Sequence, residues 1–220
     1  MKHQEKEESS EEELEESDKE TERKSNKMLF IVGGIILLLF LAFIIIRLNL
    51  KEEKPKEEAY TYNGFSFARI GGMWTTQVQK KGTNTVFTVP LHYGAYDVLN
   101  ITRTGSIDER FEQSEVYITF DPDEADLRYV AVAAGELSLN IAQAMDVTPI
   151  VACTKNITEV CKDRPIVTCE STNKSTIYLK QADIPMLELN GNCVVVSGKE
   201  KEIIRATDRL ILGLYGILKD

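Results

Sequence analysis

Residues 115–153, EVYITFDPDEADLRYVAVAAGELSLNIAQAMDVTPIVAC, decide the fold class that we predict from this sequence. The stretch begins and ends with a short apolar run of strand length, at 115–120 and at 148–153. Between the two runs, apolar residues recur with a period of 3.6, which predicts a helix from about 124 to 145. A strand, a helix and a second strand in this order predict a parallel pair joined by a right-handed crossover. The predicted fold class is therefore α/β, with α+β as the alternative.

Acidic residues cluster between the first strand and this helix, at Asp121, Asp123, Glu124 and Asp126. We interpret the last three as the cap and first turn of the helix, where carboxylates complement the helix dipole. A surface cation site is the alternative, although the central glycine of a calcium-binding loop is missing. We predict no metal ligand.

Further strands and a second helix follow in the C-terminal third. The strands are expected near 166–169, 176–179, 186–189 and 193–196. The helix is expected from about 199 to 218, with a buried stripe at Ile203, Thr207, Leu210, Ile211, Leu214 and Leu218. The residues predicted to face water are Glu200, Lys201, Arg205 and Arg209.

The stretch from 60 to 91 predicts β-structure. Asn63-Gly64 signals a tight turn, and two alternating runs, 74–79 and 86–91, predict a hairpin. Pro90 places the second run at a sheet edge or a strand end. This region is also rich in aromatic residues, which predicts either the packed face of a sheet or a recognition surface. The residues of the possible binding surface are Tyr62, Phe65, Phe67, Trp74 and Tyr93.

An uncharged apolar run, MLFIVGGIILLLFLAFIII at 28–46, predicts a transmembrane helix, because nineteen helical residues rise roughly 28 Å. A secretory signal would have a short basic segment before its apolar core. Here the preceding 27 residues hold eleven acids and six bases, which favours a retained signal-anchor. The predicted organisation is an acidic cytoplasmic tail at 1–27, the transmembrane helix at 28–46, a charged linker at 47–59 and one mixed-sheet domain at 60–220 with two main helices and two disulfides.

The cysteines place the folded domain outside the cytoplasm. All four follow the apolar run, at Cys153, Cys161, Cys169 and Cys193, and their spacing differs from that of structural zinc sites. We therefore predict disulfides and an oxidising compartment. Of the three possible connectivities we favour Cys153–Cys161 with Cys169–Cys193. Three N-glycosylation sequons agree with this topology, at Asn100, Asn156 and Asn173.

The sequence predicts no catalytic and no cofactor-binding residue. His92 is the one histidine after the apolar run, and a triad would need a serine and a carboxylate to converge on it. Phosphate-binding glycine motifs and a redox C-x-x-C are absent from the sequence. The net charge of −9 comes without a basic patch, which argues against nucleic-acid binding.

Several short strings carry a resemblance. They are YNGFSF at 62–67, GGMW at 71–74, VPLHYG at 89–94, YITFDP at 117–122 and ATDR at 206–209, together with the four cysteines. With these strings the chain resembles single-pass membrane proteins of small-genome archaea. The resemblance implies a cytoplasmic N-terminus and a glycosylated domain at the archaeal cell surface, and it implies no activity.

We therefore expect a membrane-anchored extracytoplasmic binding or envelope-assembly protein without enzymatic activity. Its expected partners are the lipid bilayer and an envelope protein. The alternatives are a membrane-tethered hydrolase of envelope polymers and a one-pass sensor that recruits a partner to its acidic tail.

Overall fold

The computed structural model describes residues 31–45, 58–80, 82–111, 113–124 and 126–219. These residues belong to two compact units, which are described separately. The first unit contains helix α1, at 31–45. Within the described ranges, no helix is both long enough and apolar enough to cross a membrane. The predicted tail, the ends of the predicted transmembrane run and all but the last two residues of the linker lie outside the described residues.

The second unit begins with a four-stranded antiparallel sheet. Its strands are β1 (Ala59–Tyr62), β2 (Phe65–Ile70), β3 (Met73–Gln79) and β4 (Val86–Leu91), paired in chain order. The predicted hairpin and the turn at Asn63-Gly64 are confirmed. Both turn residues have positive φ, 47° and 83°, as a two-residue hairpin turn requires. Strand β4 lies at the sheet edge, where Pro90 needs no partner for the N–H that it lacks.

A second sheet has six strands and mixed direction. They are β5 (Thr102–Ile107), β6 (Glu115–Phe120), β7 (Thr148–Cys153), β8 (Thr176–Lys180), β9 (Met186–Gly191) and β10 (Cys193–Ser197). They lie in the order β5-β9-β10-β8-β6-β7, and only the β9–β10 pair is antiparallel. The parallel β6–β7 pair confirms the parallel strand pair that we predicted at 115–120 and 148–153.

The fold is mixed α/β. Two details of the prediction were wrong, and one strand was not predicted. The domain has two sheets where we predicted one. The stretch 102–107 is a strand that its polar sequence does not reveal, because its residues pair along a sheet edge. The predicted strand at 166–169 makes only an isolated bridge from Ile166 to Cys153.

Two helices of the second unit form the layer that contacts both sheets: α2 (Arg128–Met145) and α3 (Lys201–Leu214). Helix α2 contacts β4 of the first sheet and three strands of the second, and α3 packs on α2, β9 and β10. Helix α3 is consequently buried on nearly all sides. Arg209, which we predicted to face water, is only 8% exposed. That prediction assumed that one side of the helix faces solvent, whereas the neighbouring layers cover that side.

The acidic cluster does not cap α2, which begins four residues later than predicted. Asp121 instead pairs with Lys155 at 2.9 Å, and Asp126 pairs with Arg128 at 2.7 Å. Glu124 accepts a hydrogen bond from the backbone N–H of Gln181 at 3.1 Å. Among the described residues, no group of three or more histidine, cysteine or acidic side chains is placed to hold a metal ion.

The four cysteines form two disulfides, Cys153–Cys161 and Cys169–Cys193, in the connectivity that we favoured. The first closes the loop after β7, and the second ties the segment before β8 to the start of β10. All three sequon residues, Asn100, Asn156 and Asn173, are exposed. Their glycosylation stays a prediction.

Candidate ligand cavity and acidic cluster

A partly enclosed cavity of about 500 Å³ lies between the second sheet and the C-terminal halves of α2 and α3. Its volume falls in the range of small-molecule sites. Most of its lining is aliphatic or aromatic. The apolar lining residues are Ile107, Phe111, Val116, Ile141, Met145, Val147, Leu187, Leu189, Val194, Leu210, Leu214 and Leu218.

The edge strand β5 supplies two of the lining residues, Arg103 and Ile107. Arg103, Gly105 and Ile107 alternate along one face of β5, beside Leu187 and Leu189 of the neighbouring strand. The middle position, Gly105, packs against the backbone of Leu189 and is not among the lining residues of the cavity. Only glycine fits there, because its φ is +73° and a Cβ atom would lie 2.1 Å from the carbonyl oxygen of Leu189.

Two arginines give the cavity its charge. Arg103 extends from β5 and is partly buried, while Arg209 extends from α3 and is buried. Gln113 supplies a neutral amide. No aspartate or glutamate occurs among the described residues that line the cavity. The lining is therefore apolar with a positive polar part, a combination suited to an amphipathic anion.

A separate acidic cluster joins the two helices to the segment after β4. Glu136 of α2 binds His92 twice: Oε1 accepts the backbone N–H at 3.1 Å, and Oε2 lies 2.7 Å from the ring Nδ1. Asp208 of α3 accepts the backbone N–H of Tyr93 at 2.7 Å. Two buried carboxyl groups thus accept the backbone N–H groups of His92 and Tyr93, the two residues that directly follow β4.

Burial and the charge of neighbouring Glu136 raise the pKa of the Asp208 carboxyl well above its usual range. The side chain of Glu136 is 4% exposed, whereas that of His92 is 40% exposed. A polymer substrate could therefore reach only the histidine. The ring's hydrogen-bond partner is a carboxylate, and no bond from a serine to the ring is present in the described structure. The cluster joins α2 and α3 to the segment after β4.

The predicted aromatic surface is largely a packed cluster. Phe67 is completely buried, which excludes it from any exposed surface. The other four residues, Tyr62, Phe65, Trp74 and Tyr93, are partly buried and pack against the core. The cluster centres on Tyr60, which stacks on Phe67 and meets Trp74 edge-on, each at a centroid distance of 4.9 Å.

Tyr60 also ties the first sheet to the segment that follows it. Its hydroxyl accepts the backbone N–H of Ala95 at 2.7 Å, and burial raises its pKa to about 12. Gly94 passes directly over this contact. A Cβ atom at Gly94 would lie 2.2 Å from the Tyr60 hydroxyl and 3.3 Å from the Trp74 ring.

We expect Gly94→Ala to lower the free energy of unfolding by roughly 2–3 kcal/mol, because a methyl group there must displace Tyr60. Denaturant unfolding followed by the fluorescence of Trp74, the sole tryptophan, measures the loss. Gly135→Ala is the matched control, since its Cβ enters open space on α2 and should stabilise the helix by up to about 1 kcal/mol.

The double variant Tyr60→Phe with Gly94→Ala separates the clash from other effects. Removing the hydroxyl makes room for the methyl group. The double variant should therefore lose less free energy of unfolding than the sum of the two single losses. Simple additivity of the two losses would contradict this account.

Sequence reasoning missed the cavity arginines and the partners of His92. Arg209 lies one position before Leu210 of the predicted stripe, and a buried arginine leaves no signature in helical periodicity. Glu136 was one exposed-looking acid among many, and 44 residues separate it from its histidine. The one available signal was the position of Asp208, which lies one helical turn from the apolar residues Ile204, Ile211 and Leu212.

Comparisons with protein families, with curated proteins and with solved structures found no match to this chain. The fold and the cavity are therefore the basis for assigning a function. The resemblance to archaeal membrane proteins stays a prediction.

Proposed function

We propose that this protein is a membrane-anchored extracytoplasmic binding protein that holds a small ligand in the cavity beneath α2 and α3. The observation that carries the proposal is the cavity of about 500 Å³, which is lined mostly by apolar residues together with a few polar side chains. Small-molecule sites in proteins typically have this composition and size. The cavity gives a specific site to the binding function that we predicted from the sequence.

The membrane half of the proposal is supported by the apolar run and by the cysteines. The described part of that run, 31–45, is helical and its large apolar side chains are 38–67% exposed, a surface that water does not favour. Two disulfides in the second unit fit an oxidising compartment. We propose that the N-terminus is cytoplasmic and that the domain from residue 60 onward lies outside the membrane.

Gly213 offers a direct test of the cavity. It lies on α3 and lines the cavity. Apart from its chain neighbours and the backbone of α3 itself, the one described heavy atom within 4 Å of a Cβ atom there is Arg209 Nη1, at 3.5 Å. Gly213→Leu would therefore extend into the cavity and fill part of it. Gly213→Ala is the matched control, because both changes raise helix propensity and only leucine occupies the space.

The full chain, reconstituted in lipid nanodiscs, would be mixed with hexadecanoic acid or hexadecanol carrying a mid-chain diazirine. Irradiation then attaches the probe to nearby residues. Peptide mass spectrometry then maps the adducts. We expect adducts on the cavity-lining peptides in the natural protein and in Gly213→Ala, and a loss of at least about tenfold in Gly213→Leu. Cavity peptides that stay unlabelled by both probes, or labelling that Gly213→Leu leaves unchanged, would overturn the proposal.

A further inference from the structure

We propose that the ligand of this cavity is a single-chain amphiphile with an anionic head, a carboxylate or a phosphate, bound at Arg103 and Arg209. This inference rests on the proposed binding function and specifies its ligand class. The carrying observation is the presence of two arginines in a cavity whose other lining residues are mostly apolar.

The arginines determine the sign of the head. A guanidinium group presents N–H donors in a planar fork that matches the oxygens of a carboxylate or a phosphate. Arg209 is 8% exposed, so a charged partner there would be held largely out of water, where its interaction is screened less. The acids of the second unit that are buried near α3, Glu136 and Asp208, bind backbone N–H groups and do not line the cavity.

The apolar lining determines the tail. Leucine and isoleucine side chains from β9, α2 and α3 face the space, including Leu189, Ile141 and Leu210. An aliphatic chain gains roughly 0.8 kcal/mol for each methylene that leaves water, so such a lining favours a tail over a compact polar metabolite. Among the described residues that line the cavity, only Phe111 is aromatic, so stacking on a planar ring is a minor part of the site.

Both arginines also interact within the chain. A ligand head would therefore join or replace an existing contact, and the head selectivity should be moderate. We expect a preference of roughly tenfold for an acid over the matched alcohol, at the lower end for a hydrogen bond to a charged group.

The test compares three probes of equal chain length on the full chain in nanodiscs: the diazirine hexadecanoic acid, the matched alkyl phosphate and the matched alcohol. Adducts on cavity peptides are normalised to adducts on 31–45, which correct for partition into the bilayer. We expect a ratio of about ten for acid over alcohol in the natural protein, and the phosphate arm shows which head is preferred.

Arg209→Met should bring that ratio close to one while the alcohol adduct stays unchanged. Arg209→Lys should give an intermediate ratio, because it keeps the charge and loses the fork. Arg103→Met provides an independent second variant if Arg209→Met fails to fold, which Trp74 fluorescence reports.

Equal labelling by acid and alcohol in the natural protein would overturn the anionic-head inference while leaving the proposed binding function intact. A preference that persists in both methionine variants would overturn it as well. Labelling of cavity peptides that Gly213→Leu leaves unchanged is a separate result. It would overturn the proposal that the cavity binds the ligand.

Discussion

Replacing Cys169 and Cys193 together by alanine should lower the free energy of unfolding by roughly 3.5 kcal/mol. The bond closes 24 residues of chain and ties the loop before β8 to the first residue of β10, in the centre of the six-stranded sheet. Without it, the unfolded chain gains the entropy of that loop. Denaturant unfolding of the full chain in detergent, followed by Trp74 fluorescence, measures the difference.

The pair Cys153→Ala with Cys161→Ala is the matched control. It opens a loop of only 8 residues and should cost less, about 2.5 kcal/mol, because the entropy of closure grows with loop length. A maleimide mass tag tests the native state directly. Since none of the cysteines is free, the tag should bind only after reduction and denaturation. Four tags on the untreated native protein would show that the disulfides do not form.

Asp208→Asn should leave the protein more stable than Asp208→Ala by about 1–3 kcal/mol. The asparagine oxygen can still accept the N–H of Tyr93, and its amide can donate to Glu136, whereas alanine leaves both buried groups without that partner. The difference is measured by the same unfolding experiment. Equal stability of the two variants would mean that the bond to Tyr93 contributes little to the joint between the helices and the first sheet.

The same residue predicts a pH dependence with a defined sign. The pKa of Asp208 is raised in the folded state, so the folded protein binds a proton more tightly there than the unfolded chain does. Its contribution to stability is therefore complete below the ordinary aspartate pKa of about 4 and is lost as the pH rises through the raised value.

Asp208→Asn should abolish this component. The free energy of unfolding of the variant, relative to the natural protein, should increase steadily as the pH rises above about 4. Unfolding curves at several pH values measure that difference. Glu124→Gln should show a component of the same sign, because burial also raises the pKa of Glu124 at a site remote in the chain from the joint. A difference that is constant with pH would contradict a shifted Asp208.

Local features of the fold were predictable because their causes act over a few residues. The Asn63-Gly64 turn depends on two residues that tolerate positive φ, and the β3–β4 hairpin depends on alternation over six residues. The crossover unit at 115–153 depends on a change of period within one stretch. Each of these is visible in the sequence alone.

The predicted start of α2 was wrong for a physical reason. The acids before it resemble a helix cap, but they have other partners. Glu124 accepts the N–H of Gln181 from 57 residues away, and Asp126 pairs with Arg128. A cap predicted from sequence competes with partners that only the folded chain supplies.

By itself the sequence determined the α/β class, the one long apolar run and an even set of cysteines on one side of it, since these depend on composition and short-range order. Only the tertiary structure decided the second sheet, the burial of Arg209 and the cavity beside it. A cavity forms where packed layers leave space unfilled, and the joint at His92 and Tyr93 depends on residues 44 and 115 positions apart. Contacts between residues so far apart in the chain are set by the packing of layers, which no local pattern encodes.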